Sequence, residues 1–130
     1  MITVTEIAFT GYPVTDIARS RRFYEDLLGL KPTSTFAEGD DRYWVEYDLK
    51  GGTLAISNLA MEQWHPSKDG PGVALEVADF PAAINALRAA AVPFYLEPMD
   101  SPGCRMAVVA DPDGNTVTIH HRRARPLPTG

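Results

Sequence analysis

The sequence predicts an α+β fold that contains two copies of a β-α-β-β-β module. In each half, β-branched and apolar runs typical of strands surround one segment whose apolar residues recur at helical spacing. Residues 14–17 match residues 77–80 as Val-x-Asp-apolar with an offset of 63 (77 − 14), and the turns at Gly52 and Gly114 give an offset of 62 (114 − 52). Similarity at a nearly fixed period indicates a duplicated module.

The first half is predicted to form a strand, a helix and three further strands. The first strand spans about residues 4–10, and the glycine and proline that follow end it. Asp16 is a good N-cap for a helix that reaches Leu28, where a glycine supplies the stop. The later strands span about 33–38, 43–48 and 53–57.

The second half repeats this order. Asp79 is a good N-cap for the second helix, and the Asp-Pro-Asp-Gly-Asn sequence at 111–115 is typical of a tight turn. Side chains alternate along a strand, so Thr116, Thr118 and His120 share one face of the last strand. The predicted elements are a strand at 72–77, a helix at 80–91, and strands at 94–96, 104–110 and 116–121.

The length of 130 residues predicts one compact domain, since this is an ordinary domain size. We expect the domain to cover 1–122. Its parts are module one at about 1–59, a linker at about 60–71 and module two at 72–122, and a flexible tail at 123–130 follows it.

Composition and charge exclude several classes of protein. The net charge of -5 argues against a surface for nucleic acid or anionic membrane, both of which need a basic stripe. Cys104 is the sole cysteine, which excludes an intramolecular disulfide and favours a reducing compartment. No segment has the length and apolarity of a membrane span or the pattern of a signal peptide. We therefore expect a cytoplasmic protein with no nucleic-acid or membrane partner.

Common catalytic motifs are absent from the sequence. It contains no Gly-rich phosphate loop, no Gly-x-Ser-x-Gly elbow and no His-Glu-x-x-His pair. Phosphoryl transfer, serine hydrolysis and zincin chemistry therefore have no support.

Four strings in the two halves are similar to those of the vicinal-oxygen-chelate superfamily, which includes glyoxalases, bleomycin-resistance proteins and extradiol dioxygenases. The strings are Val-Thr-Asp at 14–16, Arg-Phe-Tyr-Glu-Asp-Leu-Leu-Gly-Leu at 22–30, Leu-Glu-Val-Ala-Asp at 75–79 and Asp-Pro-Asp-Gly-Asn at 111–115. The resemblance implies paired modules whose mostly antiparallel sheet curls around a cavity, usually in a homodimer.

The resemblance also implies where a metal would bind. Metal-binding members usually carry His, Gln or Glu on the first and last strand of each module. The implied positions here are Phe9, Gly72 and Thr118, with Ile56 as the partner of Thr118 at the repeat offset of 62. One hydroxyl among these four side chains does not meet the needs of a divalent ion. We therefore predict no metal at the usual site and no cofactor.

Glu76 and His120 are the candidate catalytic residues. By alternation, each lies on the strand face that the resemblance turns toward the cavity. A glutamate and a histidine placed together can transfer a proton, bind a substrate group or form part of a displaced metal site. The alternative interpretation is a solvent-facing histidine at a strand end and a glutamate paired with an arginine.

Five residues are candidates for ligand contact, and they lie on the strands whose side chains would face the cavity. Trp44 and Glu46 share a strand face, and an aromatic ring beside a carboxylate suits a planar or cationic ligand. Ordinary core and edge packing is the alternative for both. The other three candidates are Cys104, Met106 and Thr118. Cys104 also fits a small buried apolar residue better than a nucleophile.

These residues support three functional hypotheses. The leading one is a metal-independent protein that binds a small molecule, planar or cationic, as a homodimer. The second is a lyase or dioxygenase-type enzyme that uses Glu76 and His120, assisted by Glu46, with or without a divalent metal. The third is an interaction module in which side chains fill the cavity. Whether the protein is an enzyme stays open.

Overall fold

The computed structural model describes Met1 and residues 3–123. It divides into two compact units, Met1–Ser67 and Lys68–Gly130. Of the predicted tail at 123–130, only Arg123 lies within the described residues. The elements of unit one are β1 (Thr10–Pro13), α1 (Ile17–Arg21), a π-helical segment (Arg22–Leu27), β2 (Ser34–Glu38), β3 (Arg42–Leu49) and β4 (Gly52–Ser57). Those of unit two are β5 (Val73–Glu76), α2 (Phe80–Ala89), β6 (Phe94–Asp100), β7 (Cys104–Ala110) and β8 (Thr116–Arg122).

Each unit holds one mixed four-stranded sheet, and both sheets have the same topology. The strand order is β1-β4-β3-β2 in unit one and β5-β8-β7-β6 in unit two. The first strand of each module pairs in parallel with the last, while the other two pairings are antiparallel. A parallel pair needs a crossover connection, and the helical segment supplies part of it. The predicted α+β fold with mostly antiparallel sheets is confirmed.

The helical segment of unit one covers one face of its sheet. The ring of Tyr24 stacks between Tyr12 and Tyr47, with centroids 6.1 and 6.4 Å away. The side chains of Val45 and Ile56 lie on the same sheet face and are fully buried. We call the opposite sheet face the helix-free face of the unit.

Helix α2 covers one face of the second sheet in the same way. Phe80, Ile84 and Leu87 are its buried residues. The guanidinium of Arg105 on β7 lies over the Phe80 ring at 4.8 Å, which identifies the covered face. Val117 and Ile119 are buried, so the even-numbered residues of β8 lie together on the helix-free face, and the prediction that they share one face is confirmed.

The two modules repeat with an offset of 63 over their first and last strands. Thr10 pairs with Leu54 and Val73 pairs with Val117, so both strands of the pair shift by 63 residues. The helix caps Asp16 and Asp79 keep this offset, and each accepts a bond from the backbone amide three residues ahead.

The predicted offset of 62 at the glycine turn is wrong. The placement of Ile56 as the counterpart of Thr118, which used that offset, is therefore wrong too. Gly51 has a φ of 90°, and Gly114 has a φ of 87°, so Gly51 is the equivalent glycine. Pairing then makes Ala55 the counterpart of Thr118, on the helix-free face. Ile56 faces the helix, because a shift of one residue moves a strand side chain to the other face.

The first strand lies later in the chain than the β-branched residues predicted. It spans Thr10–Pro13, whereas Val4 and Ile7 are 83% and 77% exposed and lie outside any strand. The available partner strand decides this, because β4 offers parallel pairing only to residues 10–13. Proline is tolerated since β1 is at the edge of the sheet.

The first helix is not α-helical over its predicted length. After α1, the backbone widens into a π-helical segment, in which the amide of Leu28 bonds to the carbonyl of Phe23 at 3.0 Å, five residues back. The extra residue turns Phe23 and Tyr24 into the core together. Apolar spacing alone does not distinguish a π-helical turn from an α-helical one.

Strand β6 is longer than predicted, at seven residues. Pro98 lies within it, which an edge strand permits because the missing amide faces away from the sheet. Irregular pairing between Leu96 and Met99 absorbs the register change, and Met99 then lies opposite Met106 of β7.

The turn at 111–115 holds the start of β8. The buried carboxylate of Asp111 accepts bonds from the amides of Asp113 and Asn115 at 2.9 and 2.8 Å, and from the Asn115 side chain at 3.0 Å. Gly114 takes the positive φ, and its carbonyl accepts a bond from the hydroxyl of Tyr95. The turn therefore fixes the register in which His120 enters the sheet.

Candidate functional site

The helix-free face of unit one carries two rows of side chains across its strands. One row aligns Gly11, Ala55 and Glu46, and the adjacent row aligns Ser57 and Trp44. The side chains of this face are small on β1 and β4 and large on β3, so the surface over β1 and β4 lies closer to the sheet. The result is a step in the surface beside Trp44 and Glu46.

Three aromatic rings surround this step. Phe9 meets Trp44 edge to face, with ring centroids 5.0 Å apart. A Cβ atom at Gly11 would lie 2.9 Å from Cη2 of Trp64 and 3.5 Å from the Phe9 ring, so both rings lie close over this glycine. We call this group, with Ala55 as part of its floor, the aromatic trough: Phe9, Gly11, Trp44, Ala55 and Trp64.

Glu46 places a carboxylate at the trough. The indole Nε1–H of Trp44 donates to Oε2 of Glu46 at 2.9 Å. This bond fixes the plane of the Trp44 ring and the direction of the carboxylate together. The second carboxylate oxygen can accept a bond from a ligand, because an ionised carboxylate offers about four acceptor positions.

The segment that carries Trp64 is tied to β3 through Arg42. The guanidinium donates to the carbonyl of Asn58 at 3.0 Å and to the carboxylate of Glu62 at 2.8 Å. The hydrogen bond from Arg42, and then its charge, lower the pKa of Glu62. The amide of Trp64 bonds to the carbonyl of Ala60 at 2.8 Å, which closes a turn. Trp64 is therefore held in place by local bonds as well as by its ring contacts.

The structure brings the two candidate catalytic residues together in unit two. His120 Nδ1 lies 2.6 Å from Oε1 of Glu76, and the two residues are direct partners in the β5–β8 pairing. The backbone amide of Arg122 donates to the other carboxylate oxygen at 2.6 Å. The Arg122 amide first, and then His120, lower the pKa of Glu76.

This arrangement assigns a tautomer to His120. An ionised carboxylate only accepts hydrogen bonds, so in the neutral imidazole of His120 the proton lies on Nδ1 and Nε2 presents its lone pair. The side chain of His120 is 23% exposed and that of Glu76 is 52% exposed. The imidazole can thus accept a proton or bind a metal through Nε2, with Glu76 as its orienting group.

The remaining ligand candidates also lie on the helix-free face of unit two. Met106 is opposite His120, and Thr118 is opposite Val108 on the same face. Cys104 lies two residues before Met106, with its Sγ 3.4 Å from the hydroxyl of Ser101. The structure therefore groups Met106 and Cys104 near His120, whereas Trp44 and Glu46 belong to the other unit.

Sequence reasoning missed two walls of the trough. From the sequence, Phe9 was considered only as a metal position without a ligand, and Trp64 only as part of the predicted linker. Gly11 was the available signal, since a glycine in a strand marks a close approach by another group. Which part of the chain would approach it was not readable from the sequence.

The residues at the superfamily's metal positions do not fit a metal ion. With the corrected register these are Phe9, Ala55, Gly72 and Thr118, and only Thr118 has a side-chain donor. Among Met1 and residues 3–123, no three His, Cys, Asp or Glu side chains are grouped so that they could hold an ion.

Comparison with known proteins identifies the family. The sequence model of the Glyoxalase/Bleomycin resistance protein/Dioxygenase superfamily matches residues 6–119, so the chain belongs to that superfamily. None of the curated proteins compared matches it. In the part of the chain that the structure describes, no helix is long and apolar enough to cross a membrane.

Three solved structures illustrate the shared fold. TnmS3, an antibiotic-binding protein from Streptomyces sp. CB03234, has a TM-score of 0.74 at 20% identity, with 95% of this chain and 100% of that chain covered. A glyoxalase/bleomycin resistance protein from the same organism has a TM-score of 0.70 at 22% identity, covering 88% and 98%. The trypanothione-dependent glyoxalase I of Leishmania major has a TM-score of 0.71 at 25% identity, covering 91% and 87%.

The trough can be tested through its floor. We expect Gly11→Ala to destabilise the protein by about 1–3 kcal/mol, because the added methyl group forces Trp64 aside in a packed site. The tryptophan fluorescence should change at the same time. Gly52→Ala is the matched control, since nothing lies within 4 Å of a Cβ at that strand glycine. Equal free energies of unfolding for the two variants would show that Trp64 does not pack on Gly11.

Proposed function

We propose that this protein binds a planar, cationic small molecule in the aromatic trough, without a metal at the superfamily's usual positions. The observation that carries the proposal is the group of three aromatic rings beside the Glu46 carboxylate. A cation over an aromatic face gains about 0.5–2 kcal/mol per favourable contact, and an indole is the best such face. Glu46 adds a charge-assisted hydrogen bond to an amine.

The overall charge supports the same class of ligand. A net charge of -5 attracts cations over a distance of about one Debye length, and it disfavours anionic metabolites. A protein of the same fold is described as antibiotic-binding, which is in line with a binding role.

A thermal-shift comparison tests the proposal. The probes are proflavine, a planar aromatic cation, and anthracene-2-carboxylate, a planar anion of similar size. We expect stabilisation by the cation, of roughly 2.7 kcal/mol at a hundred times its dissociation constant. Glu46→Gln should weaken cation binding about tenfold, because it removes a charge-assisted bond worth about 1.4 kcal/mol.

The matched control is Glu38→Gln, which removes an exposed carboxylate from the neighbouring strand β2 and should leave binding unchanged. Trp44→Leu should abolish the shift while the folded state persists by circular dichroism. Stabilisation by the anion alone, or binding that survives Trp44→Leu, would contradict the proposal.

A second candidate function is catalysis of the lyase or dioxygenase type by the Glu76–His120 pair. The 2.6 Å contact supports it, because a carboxylate that orients an imidazole is a common general-base arrangement. Nε2 of His120 would abstract the proton, and Glu76 would stabilise the imidazolium that forms.

Turnover of the hemithioacetal of methylglyoxal and glutathione tests the lyase form of this candidate. His120→Gln should lower kcat at least about 100-fold, the usual contribution of a general base. His65→Gln, at an exposed histidine of the loop after β4, should keep the wild-type rate. A rate in His120→Gln equal to that of the wild type would reject this candidate function. Stoichiometric divalent metal that is lost in His120→Gln would instead show that the pair forms part of a displaced metal site.

We also propose a homodimer in the cytoplasm. The single free cysteine supports a reducing compartment. Exposed apolar side chains support self-association, since Ile7 is 77% and Phe36 is 58% exposed. Sedimentation velocity should give a particle of twice the chain mass, and Phe36→Asp should shift it toward the monomer. A wild-type monomer at micromolar concentration would disprove the dimer.

A further inference from the structure

One row of residues on the helix-free face of unit two combines the Glu76–His120 pair with two methionines that neither proposed function uses. The register aligns Glu76, His120, Met106 and Met99 across all four strands of the sheet. Three of these side chains are soft or borderline metal donors, and they come from three adjacent strands. We propose that His120, Met106 and Met99 form a binding site for a monovalent soft metal, Cu(I).

Strand geometry places the three donors within reach of one ion. Residues directly opposite on paired antiparallel strands have Cβ atoms about 4.5–5.5 Å apart. Met106 is opposite both His120 and Met99, so it stands between them. Met99 is 45% exposed, and a methionine has three rotatable bonds, so both thioethers can turn toward Nε2 of His120.

The choice of ion follows from the donors. Thioether sulfur prefers Cu(I), whereas magnesium, calcium and manganese prefer oxygen. Two thioethers and one neutral imidazole carry no charge, which suits a monovalent cation better than a divalent one. Cys104 lies on the same face, two residues before Met106, and adds a nearby thiol.

The contacts of His120 are those of a metal ligand that is already oriented. Nδ1 lies 2.6 Å from Oε1 of Glu76, and the Arg122 amide donates to the other oxygen of that carboxylate. The lone pair of Nε2 therefore points away from Glu76. Metal-bound histidines usually donate their second nitrogen to such a carboxylate, which fixes the ring and raises its basicity. The site is distinct from the superfamily positions, because Thr118 lies two residues earlier on β8.

Anaerobic competition with bathocuproine disulfonate, using Cu(I) itself on the full chain, tests the site. We expect one Cu(I) per chain to be withdrawn from the chelator. Met106→Leu and Met99→Leu keep an apolar side chain of similar size and should each weaken binding at least about tenfold, because each removes a ligand. Met61→Leu, in unit one, should bind like the wild type.

Glu76→Gln tests the orienting role and should lower Cu(I) affinity about 10–100-fold while the unfolding midpoint stays close to that of the wild type. X-ray absorption at the copper edge should show sulfur and nitrogen neighbours, with one sulfur lost in Met106→Leu. The inference is overturned if the wild type takes no Cu(I), or if Met106→Leu takes as much as the wild type. Loss of Cu(I) binding in Cys104→Ser, together with full Cu(I) binding in Met106→Leu, would also overturn it.

Discussion

The parallel pairing between the first and last strands of each module is the constraint on which both sites depend. It places Gly11 opposite Ala55 in one unit and Glu76 opposite His120 in the other. A slip of one residue would turn all of a strand's side chains to the other face. In unit two it would turn Glu76 away from His120 and toward the face that α2 covers. Packing of the core therefore fixes the register, and the register determines which residues lie opposite each other in both sites.

The two modules use equivalent positions for different chemistry. At the offset of 63, Glu76 corresponds to Pro13 and His120 corresponds to Ser57. Trp44 is paired with Ser57 just as Met106 is paired with His120. Unit one thus has an aromatic ring where unit two has a thioether. On the helix-covered face, Ile56 and its counterpart Ile119 are the same residue, whereas Tyr47 corresponds to Val109, so the two cores are also filled differently.

The two faces of each sheet are under different constraints. Side chains on the buried face are limited by close packing, so even one methylene is felt there. Side chains on the helix-free face meet fewer constraints, and function resides in such sites more than in the fold itself. Thr118 and its counterpart Ala55 lie on this face, so a change of residue at either position leaves the packed face of its sheet unaffected.

Much of the fold was predictable because local signals and packing agree. Asp16 and Asp79 cap their helices as predicted. Alternation along β8 also predicted correctly which of its residues share a face, with Val117 and Ile119 on the buried one. The first strand was misplaced because partner availability, which is not local, overrides β propensity. The single-residue difference in the glycine turn led to Ile56 instead of Ala55. That error left the predicted side-chain chemistry of the position unchanged, since both residues lack a donor.

The candidate site was less predictable than the fold. Alternation along β5 and β8 put Glu76 and His120 on one face, but their direct contact depends on the parallel register, which no local signal gives. Trp64 reaches Gly11 through a turn at 60–64 that has no periodic pattern. Contacts made by irregular segments depend on tertiary geometry, so the sequence predicted Trp44 and Glu46 and not the ring that completes the trough.

The state of Glu76 connects the structure of unit two to its chemistry. The Arg122 amide and His120 lower the pKa of Glu76, so this carboxylate stays ionised to a lower pH than an ordinary glutamate. While it is ionised it can only accept, which keeps the proton on Nδ1 of His120 and the lone pair on Nε2. Proton abstraction and metal binding at Nε2 therefore both depend on the hydrogen bond that the ionised Glu76 accepts.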